Sequence, residues 1–190
     1  MDHPPAPHPT DGSERADAVR MRPLTPLAHE LGKRNPFPSA AEECFVAIVR
    51  TASMLKGQAN RLLRSHRLTE PSYNILRILR GAGEGGRCGH EISAQVISEV
   101  PDMTRLVDRL EKIGLCERRR VDGDKRLVRV FITAKGLDLL AQLDRSIHDL
   151  HRAQFTGIPD DELEELLLRL ERVRSAARAS SPPLVPTDRG

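Results

Sequence analysis

The sequence is poor in the residues that fill large cores or carry metal and redox chemistry. Its 190 residues include no tryptophan, one tyrosine and four phenylalanines. Leucine, isoleucine, valine and alanine must therefore build the core, and that composition favours helices. The three cysteines, Cys44, Cys88 and Cys116, are odd in number and widely spaced, without a C-x-x-C pair. This argues against a disulfide framework and against a zinc site of known spacing.

Long hydrophobic runs are also lacking. No segment approaches the roughly 20 consecutive apolar residues that a membrane-spanning helix needs. Residues 1–11 are rich in proline and histidine and contain no apolar core, unlike a secretory signal. We therefore expect a cytoplasmic protein without a membrane partner.

The signatures of common enzyme classes are missing as well. The sequence has no phosphate-binding loop, and the glycines of 81–86 lack the strand and the spacing of a dinucleotide fingerprint. The histidines lie apart, and the spacing of His148 and His151 comes without a carboxylate or cysteine pattern that would hold a metal. The sequence thus predicts neither an enzyme nor a cofactor or metal.

Charge is unevenly distributed, although the net charge is only +3. The segment 118–129 is basic, with Arg118, Arg119, Arg120, Lys125, Arg126 and Arg129. The segment 160–171 is acidic, with Asp160, Asp161, Glu162, Glu164, Glu165 and Glu171. The two blocks predict one face that meets a polyanion and another that is kept away from it.

The domain boundaries follow from proline content and from apolar periodicity. Residues 1–38 hold eight of the fourteen prolines and predict a flexible arm with a short helical turn near 24–31. Residues 39–178 form the predicted domain, and 179–190 a disordered tail. Within the domain, 39–66 and 134–178 carry apolar stripes at three- and four-residue spacing, typical of helices that pack in a dimer.

The central segment, 69–133, changes from a helical period to a period of two. Three short helices are predicted, beginning at Thr69, near His90 and at Asp102, with the glycine-rich stretch 81–89 as a loop. Two strands follow, 115–120 and 126–132, around an Asp122-Gly123 turn. We expect a mainly α protein with a small β-hairpin wing, a winged helix-turn-helix between dimerisation helices.

The predicted helix that begins at Asp102 resembles a recognition helix. When its apolar positions face inward, Asp102, Thr104, Arg105, Asp108 and Arg109 face outward. The first turn of such a helix meets base edges in the major groove, where Arg binds guanine and Thr contacts several bases. We therefore predict base contacts for Thr104 and Arg105 and a phosphate contact for Arg109.

The basic hairpin adds a second group of predicted DNA contacts. Arg118 and Arg120, with Arg119 between them, would bind phosphates, which position a protein without specifying sequence. Lys125 and Arg126 lie at the hairpin tip, and a narrow minor groove attracts an inserted Arg. Asp124 would support the guanidinium of Arg126.

Two alternative interpretations stay open for these charges. The helix face and the hairpin are each also explained as solvated surfaces whose ion pairs contribute little. A second function class is a winged-helix module whose basic wing binds an acidic protein. Steep salt dependence would indicate DNA, because DNA binding releases counterions.

At this point the sequence resembles the MarR family of bacterial transcriptional regulators. The resemblance rests on Asp102-Met103-Thr104-Arg105-Leu106-Val107-Asp108-Arg109-Leu110-Glu111-Lys112-Ile113-Gly114-Leu115, on Asp124-Lys125-Arg126 and on Ile132-Thr133-Ala134-Lys135-Gly136. It implies a homodimeric repressor that reads near-palindromic double-stranded DNA and is released by a small aromatic ligand or a stress signal. It places Arg126 at the wing tip with Asp124 as its partner.

Cys44 has two interpretations. The Cys44-Phe45 pair near the start of the first long helix resembles the oxidant-sensing branch of that family, and a helix N-terminus stabilises a thiolate. A free cysteine is also commonly a small buried apolar residue.

Overall fold

The computed structural model describes residues 23–98, 100–121 and 124–180, with the backbone alone for Val121 and for 124–127. These residues form seven α-helices and a two-stranded antiparallel sheet. The elements are α1 (Pro26–Glu30), α2 (Ala40–Arg64), α3 (Glu70–Ala82), α4 (Gly89–Gln95), α5 (Met103–Lys112), β1 (Cys116–Val121), β2 (Asp124–Ile132), α6 (Ala134–Gln154) and α7 (Asp160–Ser180). The predicted fold class, mainly α with a β-hairpin wing, is confirmed.

Most helices begin where a side-chain oxygen satisfies a free backbone N–H of the first turn. The Ser39 hydroxyl accepts from Glu42 N at 3.1 Å, and the Asp102 carboxylate accepts from Arg105 N at 2.9 Å. The Thr133 hydroxyl accepts from Gly136 N at 3.1 Å. The predicted starts of α2, α5 and α6 are therefore confirmed.

The glycine-rich stretch is only partly the loop that the sequence predicts. Helix α3 continues to Ala82, and a short 3-10 turn occupies Gly83–Gly85 before α4 begins at Gly89. Helix α3 ends because Gly83 adopts a positive φ of 55°.

The helix predicted to begin near His90 is α4, which starts at Gly89 and ends at Gln95. The amide of Ile97 donates to Asn74 Oδ1 at 3.0 Å, and the Lys56 ammonium donates to the Ser98 hydroxyl. The Asn74 side chain on α3 therefore replaces the carbonyl that a further helical turn would have offered to the Ile97 amide.

The chain divides into two compact units, residues up to Ser53 and residues from Met54. In the first unit, Ala28 and Phe37 are buried and Lys33 lies over the Phe37 ring. Arg50 pairs with Glu30 at 2.9 Å. The short helical turn predicted near 24–31 is confirmed as α1, and two side chains in the described part of the predicted arm, 23–38, are buried.

The core of the second unit is aliphatic, as the composition predicts. Its fully buried large side chains come from the end of α2, from α3, α4, α5 and α6, and from β1: Leu63, Ile75, Leu76, Leu79, Ile92, Leu110, Leu140, Leu143 and Cys116. Residues from five helices and the hairpin share one cluster, so packing against this core fixes the position of α5.

An ion pair on the surface of the same unit joins α3 to α6. Both terminal nitrogens of Arg80 contact the Asp144 carboxylate, at 2.8 to 3.1 Å. The hydrogen bond from Arg80 lowers the pKa of Asp144, and the same bond raises the pKa of Arg80.

The two strands pair from Cys116 opposite Ile132 to Val121 opposite Asp124, with an irregularity after Arg120. Arg87 extends the sheet, since its amide donates to Val130 O at 3.0 Å and its carbonyl accepts from Val130 N at 2.7 Å. The predicted turn at Asp122-Gly123 lies outside the described residues. Among the helices that the structure describes, none is both long and apolar enough to cross a membrane.

Candidate nucleic-acid interface

Helix α5 has one buried face and one exposed face. Val107 and Leu110 are buried in the core, while Thr104 and Arg105 in the first turn are exposed. Asp102, predicted as a DNA contact, caps this helix through its bond from Arg105 N. The geometry therefore leaves Thr104 and Arg105 as the outward groups of the turn that a recognition helix presents to bases.

Arg118 on β1 connects the hairpin to α5. Its guanidinium lies 2.6 Å from Asp108 and 2.5 Å from Glu111, and it approaches the Thr104 carbonyl at 3.4 Å. The Arg118 amide also donates to Glu111 Oε1 at 2.8 Å. Glu111 was not among the predicted site residues, although its position one turn after Asp108 places both carboxylates on one face of the helix.

Arg118 and Asp108, both predicted as DNA contacts, are bonded to each other within the chain. The Arg118 side chain is 27% exposed, and its donors are directed to two carboxylates of the same chain. Partial burial opposes its charge, but the hydrogen bonds to Asp108 and Glu111 raise the pKa of Arg118. The bonds from Arg118 to Asp108 and Glu111 hold α5 against β1.

Three other arginines of the hairpin, Arg119, Arg120 and Arg129, differ in their contacts. Arg129 donates to the Gly85 carbonyl at 2.6 Å and lies 3.7 Å from Glu91, so it ties β2 to the glycine turn and α4. Arg119 pairs with Glu117 and lies over the Phe131 ring at 4.9 Å. Arg120 is exposed at the distal end of β1, where a phosphate could approach it.

For the predicted wing-tip residues the structure describes the backbone alone. The backbone of Asp124, Lys125 and Arg126 belongs to β2, and their side chains lie outside the described residues. Arg109, the predicted phosphate contact, lies in the last turns of α5 and lines an open cleft together with Lys112. The structure thus brings Arg105, Thr104 and the wing strands together in one lobe and places Arg109 beside a separate cavity.

A mainly apolar cavity of about 290 Å³ lies between α2, α3 and α6 in the second unit. Its walls include Leu63, Ile147 and two aromatic rings, Tyr73 and Phe155. His151 lines it as well, and its Nδ1 lies 3.0 Å from Gln154 Oε1. Apolar walls with a few polar groups and this volume suit a small ring-shaped ligand. Sequence reasoning did not find this site, since its residues come from distant segments.

The cavity adjoins the segment that precedes α5. Ile97 lines the cavity, and its amide is held by Asn74, which lines it too. The next residue, Ser98, is held by Lys56 of α2. In sequence, Ile97 and Ser98 lie only a few residues before Asp102, which caps α5.

The three cysteines differ in their surroundings. Cys44 is exposed near the start of α2. Cys88 is buried, and its hydrogen bond with Glu91 raises the pKa of its thiol. Burial raises the pKa of the Cys116 thiol to about 12. Since the thiolate is the reactive form, the raised pKa of both buried thiols makes them poorly reactive toward oxidants. Within the described ranges, no group of three or more His, Cys, Asp or Glu could hold a metal.

Comparisons with known proteins agree with this geometry. A sequence profile of the MarR family matches residues 68–128. The HTH-type transcriptional regulator TtmR of Methylorubrum extorquens is 33% identical over 185 residues, which cover 96% of this chain and 91% of TtmR. The organohalide-sensing regulator RdhR, solved with 2,4-dichlorophenol, has a TM-score of 0.66 at 22% identity, covering 73% of this chain and 81% of RdhR. The S. aureus MepR–DNA complex has a TM-score of 0.63 at 19% identity, covering 70% of this chain and 97% of MepR.

Proposed function

Because the chain belongs to the MarR family of transcriptional regulators, we propose that it is a homodimeric repressor that reads a near-palindromic operator and is released by a small aromatic ligand. Members of this family regulate transcription and are not enzymes, in keeping with the missing catalytic signatures of the sequence.

The observation that carries the proposal is the pairing of an exposed α5 N-terminal turn with a hairpin of basic sequence. Thr104 and Arg105 would read bases in the major groove, as the first residues of a recognition helix do. Arg120 and, at the wing tip, Lys125 and Arg126 would contact the backbone and the minor groove. MepR, which shares the fold, was solved in complex with DNA.

Exposed apolar side chains on the terminal helices support a dimer. Phe45 on α2 is 67% exposed and Leu167 on α7 is 62% exposed. No side chain of α7 is buried, although the helix spans Asp160–Ser180. Such a helix needs a partner surface, and a second copy of the chain would also supply the second half-site reader of a palindrome. A dimer on such a site covers the DNA against other proteins, which is the simplest form of repression.

The apolar cavity is the proposed ligand site. RdhR, of the same fold, was solved with 2,4-dichlorophenol, an aromatic molecule of a size that the cavity can hold. A ligand against Ile97 would displace the 97–98 segment and thereby the start of α5. Release of DNA then follows if the ligand binds better to the displaced arrangement.

Selection of bound duplexes from a random DNA pool tests the DNA-reading function. We expect the wild type to enrich a palindrome with half-sites about one helical turn, roughly 10 base pairs, apart. Arg105→Ala should lose about 1–3 kcal/mol of discrimination at one position of each half-site. Arg126→Ala should weaken binding to all selected duplexes.

Arg145→Ala is the matched control, because Arg145 is 93% exposed on α6 and should leave the selected sequence unchanged. No enrichment by the wild type at low salt would exclude sequence-specific DNA binding. Binding to an acidic protein with only mild salt dependence would then favour the alternative, a winged-helix interaction module.

Release by a ligand is tested with 2,4-dichlorophenol and a fluorescent operator duplex. We expect the wild type to release the duplex as the phenol is added. Ala59→Leu fills the apolar cavity and should weaken release about tenfold, since overfilling costs about 1–3 kcal/mol. Ala141→Leu, at an exposed position of α6, is the control. Equal release from Ala59→Leu and the wild type would place the ligand elsewhere.

A further inference from the structure

A second cavity of the molecule is lined by positive side chains. This cleft has a volume of about 760 Å³ and opens between the turn after α2, the last turns of α5 and the first turn of α6. We call it the basic cleft and define it by His66, Arg67, Arg109, Lys112 and Lys135. It shares no lining residue with the apolar cavity.

The charge in the basic cleft is poorly balanced within the described parts of the chain. Four Arg and Lys side chains line it against one carboxylate, that of Asp138. Lys135 donates to the Ile113 carbonyl at 2.7 Å, a neutral partner that leaves its charge uncompensated. Among the described residues, Arg67, Arg109 and Lys112 form no ion pair. Four like charges around one concave site make its electrostatic potential positive, and this potential attracts an anion.

The floor of the basic cleft is apolar. Leu115 is buried there, Leu139 is partly buried, and Ile113 is 40% exposed toward the surface. A site with a cationic rim and an aliphatic floor matches a ligand that has an anionic group on an apolar body. Its volume lies in the range of small-molecule sites, about 300–1,000 Å³.

We propose that the basic cleft binds a small organic molecule that carries a phosphate group. A phosphate presents up to two charges and three acceptor oxygens in one compact group, so it can meet donors from several elements at once. Arg binds such oxygens in bidentate fashion, and Lys adds a compact charge. The organic part of the ligand lies against Ile113 and Leu139.

The position of the cleft favours a small molecule over the DNA backbone. A recognition helix presents its N-terminal turn to the bases, whereas Arg109 and Lys112 lie toward the C-terminal end of α5. Apolar residues at the floor of a concave site add nothing to the binding of a convex, fully charged duplex backbone. They do add to the binding of an organic phosphate.

Occupation of the basic cleft would affect DNA reading, a step that rests on the proposed function. The ligand contacts the end of the recognition helix, the beginning of α6 and the turn after α2. Its affinity therefore depends on how these elements are placed, and DNA and ligand change each other's affinity by the same factor.

The test is calorimetric titration of the full chain with phenyl phosphate, a phosphate on one apolar ring. We expect binding by the wild type and at least about tenfold weaker binding by Arg67→Glu/Lys112→Glu, in which two attractive charges become repulsive. Arg172→Glu is the matched control, an exposed cation on α7 that does not line the cleft, and should change affinity less than twofold. Thermal unfolding checks each variant, and Lys112→Ala replaces the double variant if that one does not fold.

Three results would overturn the proposal. The first is a wild type that does not bind phenyl phosphate, which leaves DNA reading untouched if the duplex is still bound. The second is an equal loss of affinity in the double variant and in the control. The third is weaker duplex binding by the double variant without phenyl phosphate, with a smaller salt slope by about one per lost contact, which would make the cleft part of the DNA interface.

Discussion

Arg118 shows at the scale of one residue how the structure changes the prediction for a charged side chain. The sequence places Arg118 and Arg120 on one strand, two residues apart, and assigns both to phosphates. In the structure, Arg118 binds Asp108 and Glu111, while Arg120 is exposed. We therefore propose that Arg118 positions α5, while the predicted phosphate contact stays a prediction for Arg120.

The two arginines should differ in two measurable quantities. Arg118→Ala should lower the free energy of unfolding in urea by about 1 kcal/mol, because the partly buried Glu111 carboxylate loses its donor, whereas Asp108 is exposed and remains solvated. Arg120→Ala should change stability by less than about 0.5 kcal/mol and reduce the salt slope of DNA binding by about one. Unchanged stability of Arg118→Ala together with a reduced slope would restore the phosphate contact that the sequence suggests.

Gly136 decides the contact between two elements, the first turn of α6 and the hairpin. A Cβ at Gly136 would collide with the Leu115 carbonyl and would lie 2.7 Å from the Ile132 side chain. The residue is buried, and its amide donates to the capping hydroxyl of Thr133. The absence of a side chain therefore allows α6 to begin directly against the base of the wing.

Gly136→Ala should lower the free energy of unfolding by about 1–3 kcal/mol, since backbone and core must move apart. Gly81→Ala is the matched control: Gly81 lies in α3 with no atom within 4 Å of an added Cβ. This control should gain about 0.5–1 kcal/mol, because Ala is the better helix former. Urea denaturation measures both, and a Gly136→Ala protein as stable as the wild type would mean that α6 and the hairpin are less tightly packed than described.

At the scale of the whole molecule, helix α7 stands out because several of its large apolar side chains are exposed. Leu163, Leu166, Leu167, Leu170 and Val173 form its apolar stripe, and Leu166, Leu167 and Val173 are among the exposed large hydrophobics. Leu168 is equally exposed, at 69%, but lies about 100° around the helix from Leu167. Substitution of each leucine therefore distinguishes association through the stripe from a general effect of removing an exposed apolar side chain.

Leu167→Glu should weaken the dimer by roughly 10- to 100-fold, the loss expected when a buried leucine is replaced by a charge. Leu168→Glu should leave the association unchanged. Sedimentation velocity over a range of concentrations measures both. A monomeric wild type, or the same effect in both variants, would contradict a dimer formed through the stripe, and DNA reading would then need another arrangement.

The sequence by itself determined the order of elements, their caps and the family. Periodicity of three and four residues, capping side chains such as Ser39 and Thr133, and the switch to a period of two are local properties of the chain, so they can be read without a fold. The exposure of Thr104 and Arg105 follows from the same periodicity, because the apolar positions of α5 form its buried face and these two residues lie outside it.

Only the tertiary structure decided which charged side chains have partners and which cavities exist. Arg118 meets Glu111, and Asn74 meets the amide of Ile97, through contacts between elements that no local pattern encodes. The apolar cavity and the basic cleft each combine residues from distant segments. The end of α4 also depends on a contact between elements, because the Ile97 amide donates to Asn74 on α3 instead of to a carbonyl of α4. A side chain's solvent exposure and its ion-pair partners depend on packing, and packing is a property of the folded chain.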